Sequence, residues 1–521
     1  MRDVAATGAA VAGSVATGFA APVEAGRKGK RKRNRRPNVV LFITDQEGVR
    51  QHFPENWERD HLPALTRLRR RGVSFDNAFC SACQCSPSRA SLFTGYFPAQ
   101  HGVVDVQTFD YDPASANQPD LPLPERLPNL ATIMADAGYD VSYKGKWHLS
   151  KPASWEVPGD PVEWKASDVT QYGFRRWNPP DAGSESGPEH IGAGTADNDG
   201  RCMNGTEDQQ GVLDFIASRK GRKKPFCLII SLVNPHDITE FPGIGSQFTD
   251  DGFDDSWLES TGIELPPTHG EDLAAAGKPK AQQVLPAQLD FYLGAFQDEA
   301  QKTQYVNFYG NLMKLVDGYL GDTVRALKEA GLYRNTIIIR SADHGEMAMA
   351  HGLRQKTLVA YEEALRVPMV YSWPKRLPAG KRSDALVSHV DLLPTLASLI
   401  GVAEAGKLDW QGRDYAETVK NPEKLGPNEY VLFTYDDVYG GVPAPPYVGA
   451  NHIVAYRDSR YKLVRYRDER ENPDPDEWEF YDLVADPLEQ VNIAFTDPGN
   501  AMLADYRNRL DRAAAERLQP L

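Results

Sequence analysis

No stretch of this sequence offers the roughly 20 consecutive large apolar residues that a membrane-spanning helix needs, and a mean hydropathy of −0.50 excludes a bundle of such helices. Cysteine is scarce and odd in number. Five residues in 521, Cys80, Cys83, Cys85, Cys202 and Cys227, do not make a disulfide scaffold. The C-x-x-C-x-C run at 80–85 lacks the second ligand pair that a structural zinc site requires at suitable spacing. No internal repeat is visible, which removes solenoids and propellers. Excess positive charge is missing from most of the chain: residues 37–521 carry 49 Lys and Arg against 70 Asp and Glu, a balance of −21 that argues against a nucleic-acid partner.

What basic charge there is gathers at one end. RKGKRKRNRR, residues 27–36, holds eight Lys or Arg, a pattern that reads as a solvated tether and alternatively as a contact for polyanions or lipid head groups. Before it, VAATGAAVAGSVATGFAAP (4–22) and VEA (23–25) resemble the middle and cleavage regions of an export signal. Weak hydrophobicity and the Arg-Asp pair at 2–3 look like the remainder of a twin-arginine signal, although a single arginine is present. The expectation is export to the periplasm or exterior, and a cytoplasmic protein if this stretch is not a signal.

Three continuous β-rich apolar runs end in polar residues: NVVLFIT (38–44) before Asp45 and Gln46, PFCLIISL (225–232) before NPHD, and NTIIIRS (335–341) before ADHG. Between them lie helical stretches, PALTRLRRRG, LPNLATIMADAG and FYGNLMKLVDGYLGDTVRALKEAG, each stopped by glycine. Strands alternating with helices predict an α/β domain with a mainly parallel sheet, whose ligands gather beyond the carboxyl ends of the strands. After residue 401 the pattern changes to short strands separated by turns, YVLFTYD, HIVAYRD, YKLVRYR and EWEFYDL, and a terminal helix over about 499–516. The predicted organisation is a tether over 1–36, a large α/β domain over 37–425, and a smaller antiparallel sheet-plus-helix domain over 426–521. Segments 151–205 and 238–285, rich in Pro, Gly and Asp, read as loops around the site.

Ser86-Pro87 is a helix-start signal, which places Cys85 at a helix N-terminus where free N–H groups favour anions, with Arg89 one turn along. That suits a nucleophile attacking an anionic substrate; a buried cysteine capping a helix looks the same. In GYDVSYKGKWHLS (138–150), strand alternation puts Lys144, Lys146 and His148 on one face, able to bind an anion and move a proton, or merely to solubilise an edge. Asp45, Gln46, Asp343 and His344, at two strand ends, offer hard donors suited to Ca2+ or Mg2+, with His344 shifting weight toward Mn2+. Lys356 follows shortly after.

Together these residues resemble the type I sulfatases of the alkaline-phosphatase-like superfamily. CSPSR (85–89) with LFTG (92–95) matches that family's C-x-P-x-R signature and GKWHL (145–149) its second; NVVLFITDQ, NPHD, ADHG, HG-x-x-x-K, YEE, VSHVDLLPTL (387–396) and FYDLVADPLEQVNIA (480–494) follow in the family's order. The resemblance implies a sulfuric ester hydrolase in which a separate maturation enzyme converts Cys85 to formylglycine. One oxygen of the hydrated aldehyde attacks sulfur, and the other re-forms the carbonyl to eject sulfate. It further implies a divalent cation, Ca2+ before Mn2+ or Mg2+, held by Asp45, Gln46, Asp343, His344 and modified Cys85. Arg89 would steady the diol, and Lys146 and Lys356 would neutralise the transferring group. His148 would take the proton in the release step, and His236, with Lys356, would protonate the leaving oxygen. Lys144, His351, Tyr361 and Glu362 receive structural roles. Gln46 and His344 depart from the arylsulfatase pattern toward choline sulfatases and phosphonate monoester hydrolases. A phosphonate monoester or phosphodiester is therefore the alternative substrate to a small-molecule or saccharide sulfate.

Overall fold

A computed structural model of the chain describes residues 36–49, 52–107, 122–154, 163–181, 196–243, 248, 253–402, 409–436, 450–468 and 475–520. The export-like stretch and all but the last residue of the basic run lie outside the described residues. Among these, no helix is long and apolar enough to cross a membrane.

β1 (Asn38–Thr44) is buried along its whole length, as its unbroken apolar run requires, and its alternate residues serve two different layers. Val39, Leu41 and Ile43 join one core with Tyr143, Trp147 and Phe93; Val40 and Phe42 join a second with Leu65, Phe308 and Leu312. The second layer rests on two helices, Pro63–Arg69 and the 31-residue Glu299–Glu329, whose first turn is capped by the Asp298 side chain. With β2 (Val73–Phe79), β3 (Asp140–Gly145), β4 (Phe226–Ser231), β5 (Thr336–Ala342), β6 (Met369–Ser372) and β7 (Lys381–Ser388), β1 forms a seven-stranded sheet of order β3-β4-β1-β5-β6-β2-β7. β3, β4, β1 and β5 are mutually parallel; β6 alone runs against its neighbours, so the sheet is mixed but mainly parallel.

β8 (Tyr430–Tyr435), β9 (His452–Asp458), β10 (Tyr461–Arg467) and β11 (Glu477–Asp482) form a four-stranded antiparallel sheet. Helix Ala501–Arg517 lies on it through Leu503, Tyr506, Leu510 and Ala513, against Leu432, Val454, Leu463 and Phe480. This is the smaller sheet-plus-helix unit read from the sequence. The segments expected to be loops contain more order than that reading allowed. Residues Ala196–Asn204 form a helix despite poor propensity, with Cys202 and Met203 buried and Asp199 accepting from the Val233 and Asn234 N–H groups. Lys280–Leu293 is also helical, with Pro286 inside it. Tertiary contacts, not periodicity, hold both.

Candidate active site

The four parallel strands lie side by side, so the sheet itself assembles the residues that follow them: Asp45 and Gln46 after β1, Asp343 and His344 after β5, Lys146 after β3, His236 after β4. The turn after β3 depends on Gly145. Its φ is +90°, and a Cβ there would meet the Ser231 carbonyl oxygen at 2.0 Å. Lys146 N–H then donates to that same carbonyl at 2.8 Å, swinging the lysine over the strand ends.

Helix Cys85–Thr94 presents Cys85 as its first residue, and a left-handed Gly95 ends it. One turn in, the wholly buried Arg89 guanidinium donates to Asp343 Oδ2 (2.9 Å), Asp45 Oδ2 (2.9 Å), Ser231 Oγ (2.7 Å) and the Lys146 carbonyl (3.2 Å). Arg89 therefore clamps four strand ends to the helix carrying Cys85. Lys146 Nζ pairs with Asp45 Oδ2 at 2.7 Å and lies 3.9 Å from Cys85 Sγ. Cys85 Sγ donates to Asp45 Oδ1 at 3.5 Å and is 3.2 Å from His344 Nε2.

Burial works against the charge on Asp45, yet Lys146, then His236 and Arg89, hold its carboxyl well below the usual range. Burial and the neighbouring Asp45 charge push Asp343 up. Burial opposes a charged His344, but the Asp343 carboxylate and the Cys85 sulfur outweigh it and raise the imidazole to about 10. Lys146, likewise disfavoured by burial, is held up by Asp45 and Cys85. Cationic groups thus surround the sulfur, as an anionic substrate requires.

His344 Nδ1 lies 3.0 Å from the Gly345 carbonyl, which can only accept, so Nδ1 carries a proton and Nε2 is the nitrogen available to a cation. One donor atom each from Asp45, Cys85, Asp343 and His344 fall within 4.8 Å of one another. These residues fit a divalent cation, and bound there it would supply Lewis-acid polarisation. Gln46 lies beside them, its N–H donating to Asp343 Oδ1 at 3.0 Å while its amide oxygen accepts from Lys356 Nζ.

His148 and His236 both enter the field of this cluster. Burial, then Lys146 and Arg89, push His148 well down; burial, then Lys146 and Lys356, do the same to His236. His148 Nε2 sits 3.0 Å from the Gln107 carbonyl and must donate to it, leaving Nδ1 as a buried base with no hydrogen-bond partner among the described residues. The predicted shared face of Lys144, Lys146 and His148 is not found. The strand ends at Gly145, so alternation stops there: Lys144 Nζ donates to the Gln210 carbonyl, away from the cluster, and His148 takes a left-handed φ of 53°. His351 pairs with Glu271 and stacks on Tyr361 at 4.0 Å.

Several residues that the structure places in contact with the cluster were not singled out from sequence. Ser231, the last residue of β4, accepts from Arg89; Asp181 accepts from the Trp147 and His148 N–H groups at 2.6 and 2.7 Å. Glu346 accepts from Tyr305 Oη (2.8 Å), the Ala348 and Gln355 N–H groups (3.1 and 2.8 Å), and the Gln46 side-chain amide. Its position directly after ADHG was the available signal; Asp181 had none, since it lies in a stretch without periodicity.

The sulfatase family model matches residues 37–402, and the model for the C-terminal part of N-sulphoglucosamine sulphohydrolase matches 350–516. An N-acetylglucosamine-6-O-sulfatase of Bacteroides thetaiotaomicron is 25% identical over 512 residues, spanning 89% of this chain and 84% of its own. A choline-sulfatase of Rhizobium meliloti is 25% identical over 492 residues, spanning 91% and 86%. Among solved structures, a 2-O GAG sulfatase superimposes with a TM-score of 0.68 at 24% identity, covering 92% of each chain. The chain belongs to the sulfatase family. It is a sulfuric ester hydrolase of the alkaline-phosphatase-like fold, and it acts on sulfate monoesters.

Proposed function

We propose that this enzyme releases sulfate from a sulfated saccharide, using a formylglycine made from Cys85 by a maturation enzyme, with Ca2+ held by Asp45, Gln46, Asp343, His344 and the modified Cys85. The observation that carries the reading is the junction of Cys85, Lys146 and Arg89 with the Asp45–Asp343–His344 donor set in one buried cluster. The saccharide assignment draws on the similarity to the N-acetylglucosamine-6-O-sulfatase of Bacteroides thetaiotaomicron. Two carboxylates and an amide oxygen are hard donors, and an oxygen at position 85 would complete a set suited to Ca2+ rather than Mn2+ or Mg2+.

Each residue has a distinct task. Arg89 orients the nucleophile and fixes Asp45 and Asp343. Lys146 and Lys356 neutralise charge on the group in transfer, where fixed cations in a water-poor site act most strongly. His148, neutral and with its proton on Nε2, takes the proton at Nδ1 in the release step. His236 is neutral in the free site, so it donates to the leaving oxygen only after an anionic ester has offset Lys146 and Lys356 and raised its pKa. We also propose export, on the strength of residues 4–25; cell fractionation that leaves full-length protein in the cytoplasm would remove it.

Inorganic sulfate released from a panel of sulfated monosaccharides, with choline sulfate and an aryl phosphonate monoester alongside, tests the substrate class. A higher kcat/KM for a saccharide sulfate supports the proposal. A higher kcat/KM for the phosphonate transfers the assignment to a phosphonate or phosphodiester hydrolase.

A further inference from the structure

We infer that the turn after β4 carries a specificity subsite, formed by the Asn234 and Asp237 side chains on either side of His236, which binds the free hydroxyls on the ring carbons flanking the sulfate ester of a saccharide. The subsite belongs to the saccharide reading above and rests on it, since it names the part of the sugar that the protein reads.

Unmade hydrogen bonds mark the place. Asn234 and Asp237 are wholly buried, yet neither oxygen of the Asp237 carboxyl and neither end of the Asn234 amide has a hydrogen-bond partner among the described residues. His236 Nδ1 has none either. The Asn234 amide is close enough to act on the Asp237 and Asp199 carboxyls, but without the geometry of a hydrogen bond to either. Five open polar atoms in four consecutive residues stand far from the ordinary protein interior, where nearly every such group is paired. Each costs free energy that an arriving partner recovers.

The backbone of the turn, by contrast, is fixed. Asp199 accepts from the Val233 and Asn234 N–H groups at 2.7 and 3.0 Å, and the His236 N–H donates to the Val233 carbonyl at 3.1 Å. The side chains are therefore held open on a rigid base, which is how a preorganised binding site is built. The turn also stands against the catalytic cluster: Lys146 acts on both His236 and Asp237, and His236 on Asp45. His236 is partly exposed between two buried neighbours, so solvent, and with it an alcohol, reaches the turn at the residue assigned to the leaving oxygen.

The types of the open atoms select the ligand. Burial, with Asp199 and then Glu240 beside it, pushes the Asp237 carboxyl well up, which favours the protonated form, a donor next to an acceptor. The Asn234 amide offers the same combination. A hydroxyl both donates and accepts, so two hydroxyls can close all four Asn234 and Asp237 atoms; an ionised Asp237 would accept from the same pair. The quaternary ammonium of choline has no N–H to give, and an unsubstituted aryl group offers neither donor nor acceptor.

The test uses the full chain co-produced with a maturation enzyme, and the saccharide sulfate with the highest kcat/KM in the panel above beside its analogues in which one flanking hydroxyl is replaced by hydrogen. Wild type should lose about 100-fold or more in kcat/KM on a deoxy analogue, because a site built to pair with a hydroxyl is left with buried groups unpaired. In Asp237→Leu that ratio should collapse toward unity, and the ratio cancels any loss of folded or matured protein. Should Asp237→Leu not fold, Asn234→Ala should show the same collapse, and the wild-type ratio still decides. Wild-type ratios within about threefold of unity for every analogue, or a ratio that survives in Asp237→Leu, assign the open atoms to bound water and overturn the inference. Turnover of an aryl sulfate with none of any saccharide sulfate removes the saccharide reading and the subsite with it; turnover of saccharide sulfates with flat ratios removes the subsite alone.

Discussion

Four hydrogen bonds end on the carboxylate of Glu346, and one of them comes from the amide of Gln46. A carboxylate only accepts, so Glu346 fixes which end of that amide is NH2 and turns the oxygen toward Lys356. Glu346→Gln should keep the fold yet lower cation affinity or kcat about 10–100-fold, measured by calcium titration and steady-state kinetics; unchanged values would mean the amide is oriented otherwise. His344 carries a second prediction. With its pKa near 10 in the metal-free protein, it holds a proton at pH 7.5 that a cation must displace, so affinity should fall as pH drops below 10. Calorimetry in buffers of differing ionisation enthalpy should show about one proton released per cation from this group. At this scale Cys85, Arg89, Lys146 and the Asp45 and Asp343 pairs were readable because they sit at strand ends or a helix start. Ser231 was not, since a single serine carries no pattern until the chain folds around it, and Glu346 offered only its place directly after ADHG.

Among the elements, β1, β4 and β5 were legible because burial on both faces demands unbroken apolar runs. β3, reading DVSYKG, showed no such run, and its alternation was followed three residues too far, to His148. Gly145 is where that reading failed, and it is also where the element can be broken. Gly145→Ala should cost more than about 2 kcal/mol, since the Cβ meets a main-chain oxygen that cannot move aside and the left-handed φ is strained. Denaturant midpoints would show the loss, and activity should fall further than stability because Lys146 is the next residue. A midpoint equal to wild type would show that the turn tolerates a side chain.

The two sheets of the molecule are joined by a buried ionic network. Glu362, in the segment following Lys356, pairs with Arg457 of β9 at 3.3 Å and Lys462 of β10 at 3.4 Å. Burial alone would raise the Glu362 carboxyl, but Arg457 and Lys462 overcome it and lower it to about 2 from an ordinary 4.5. The folded pKa lies below the unfolded one, so this contribution is complete above pH 4.5 and disappears as pH falls toward 2. Glu362→Gln should destabilise the protein at neutral pH by about 3 kcal/mol and flatten its acid unfolding in that window. An unchanged acid limb would place the acid sensitivity elsewhere. Sequence showed that a second, antiparallel unit follows the first. The ionic junction between them could not be read from it, because its charges lie about 100 positions apart and look like surface residues.

The central claim is that position 85, once processed, is the nucleophile for sulfate transfer. Its most direct measurement is sulfate release from an aryl sulfate by protein co-produced with a maturation enzyme, beside Cys85→Ala handled identically. The account predicts turnover by the former and a loss of at least about 1,000-fold in kcat in the latter. Comparable rates from the two proteins would contradict it.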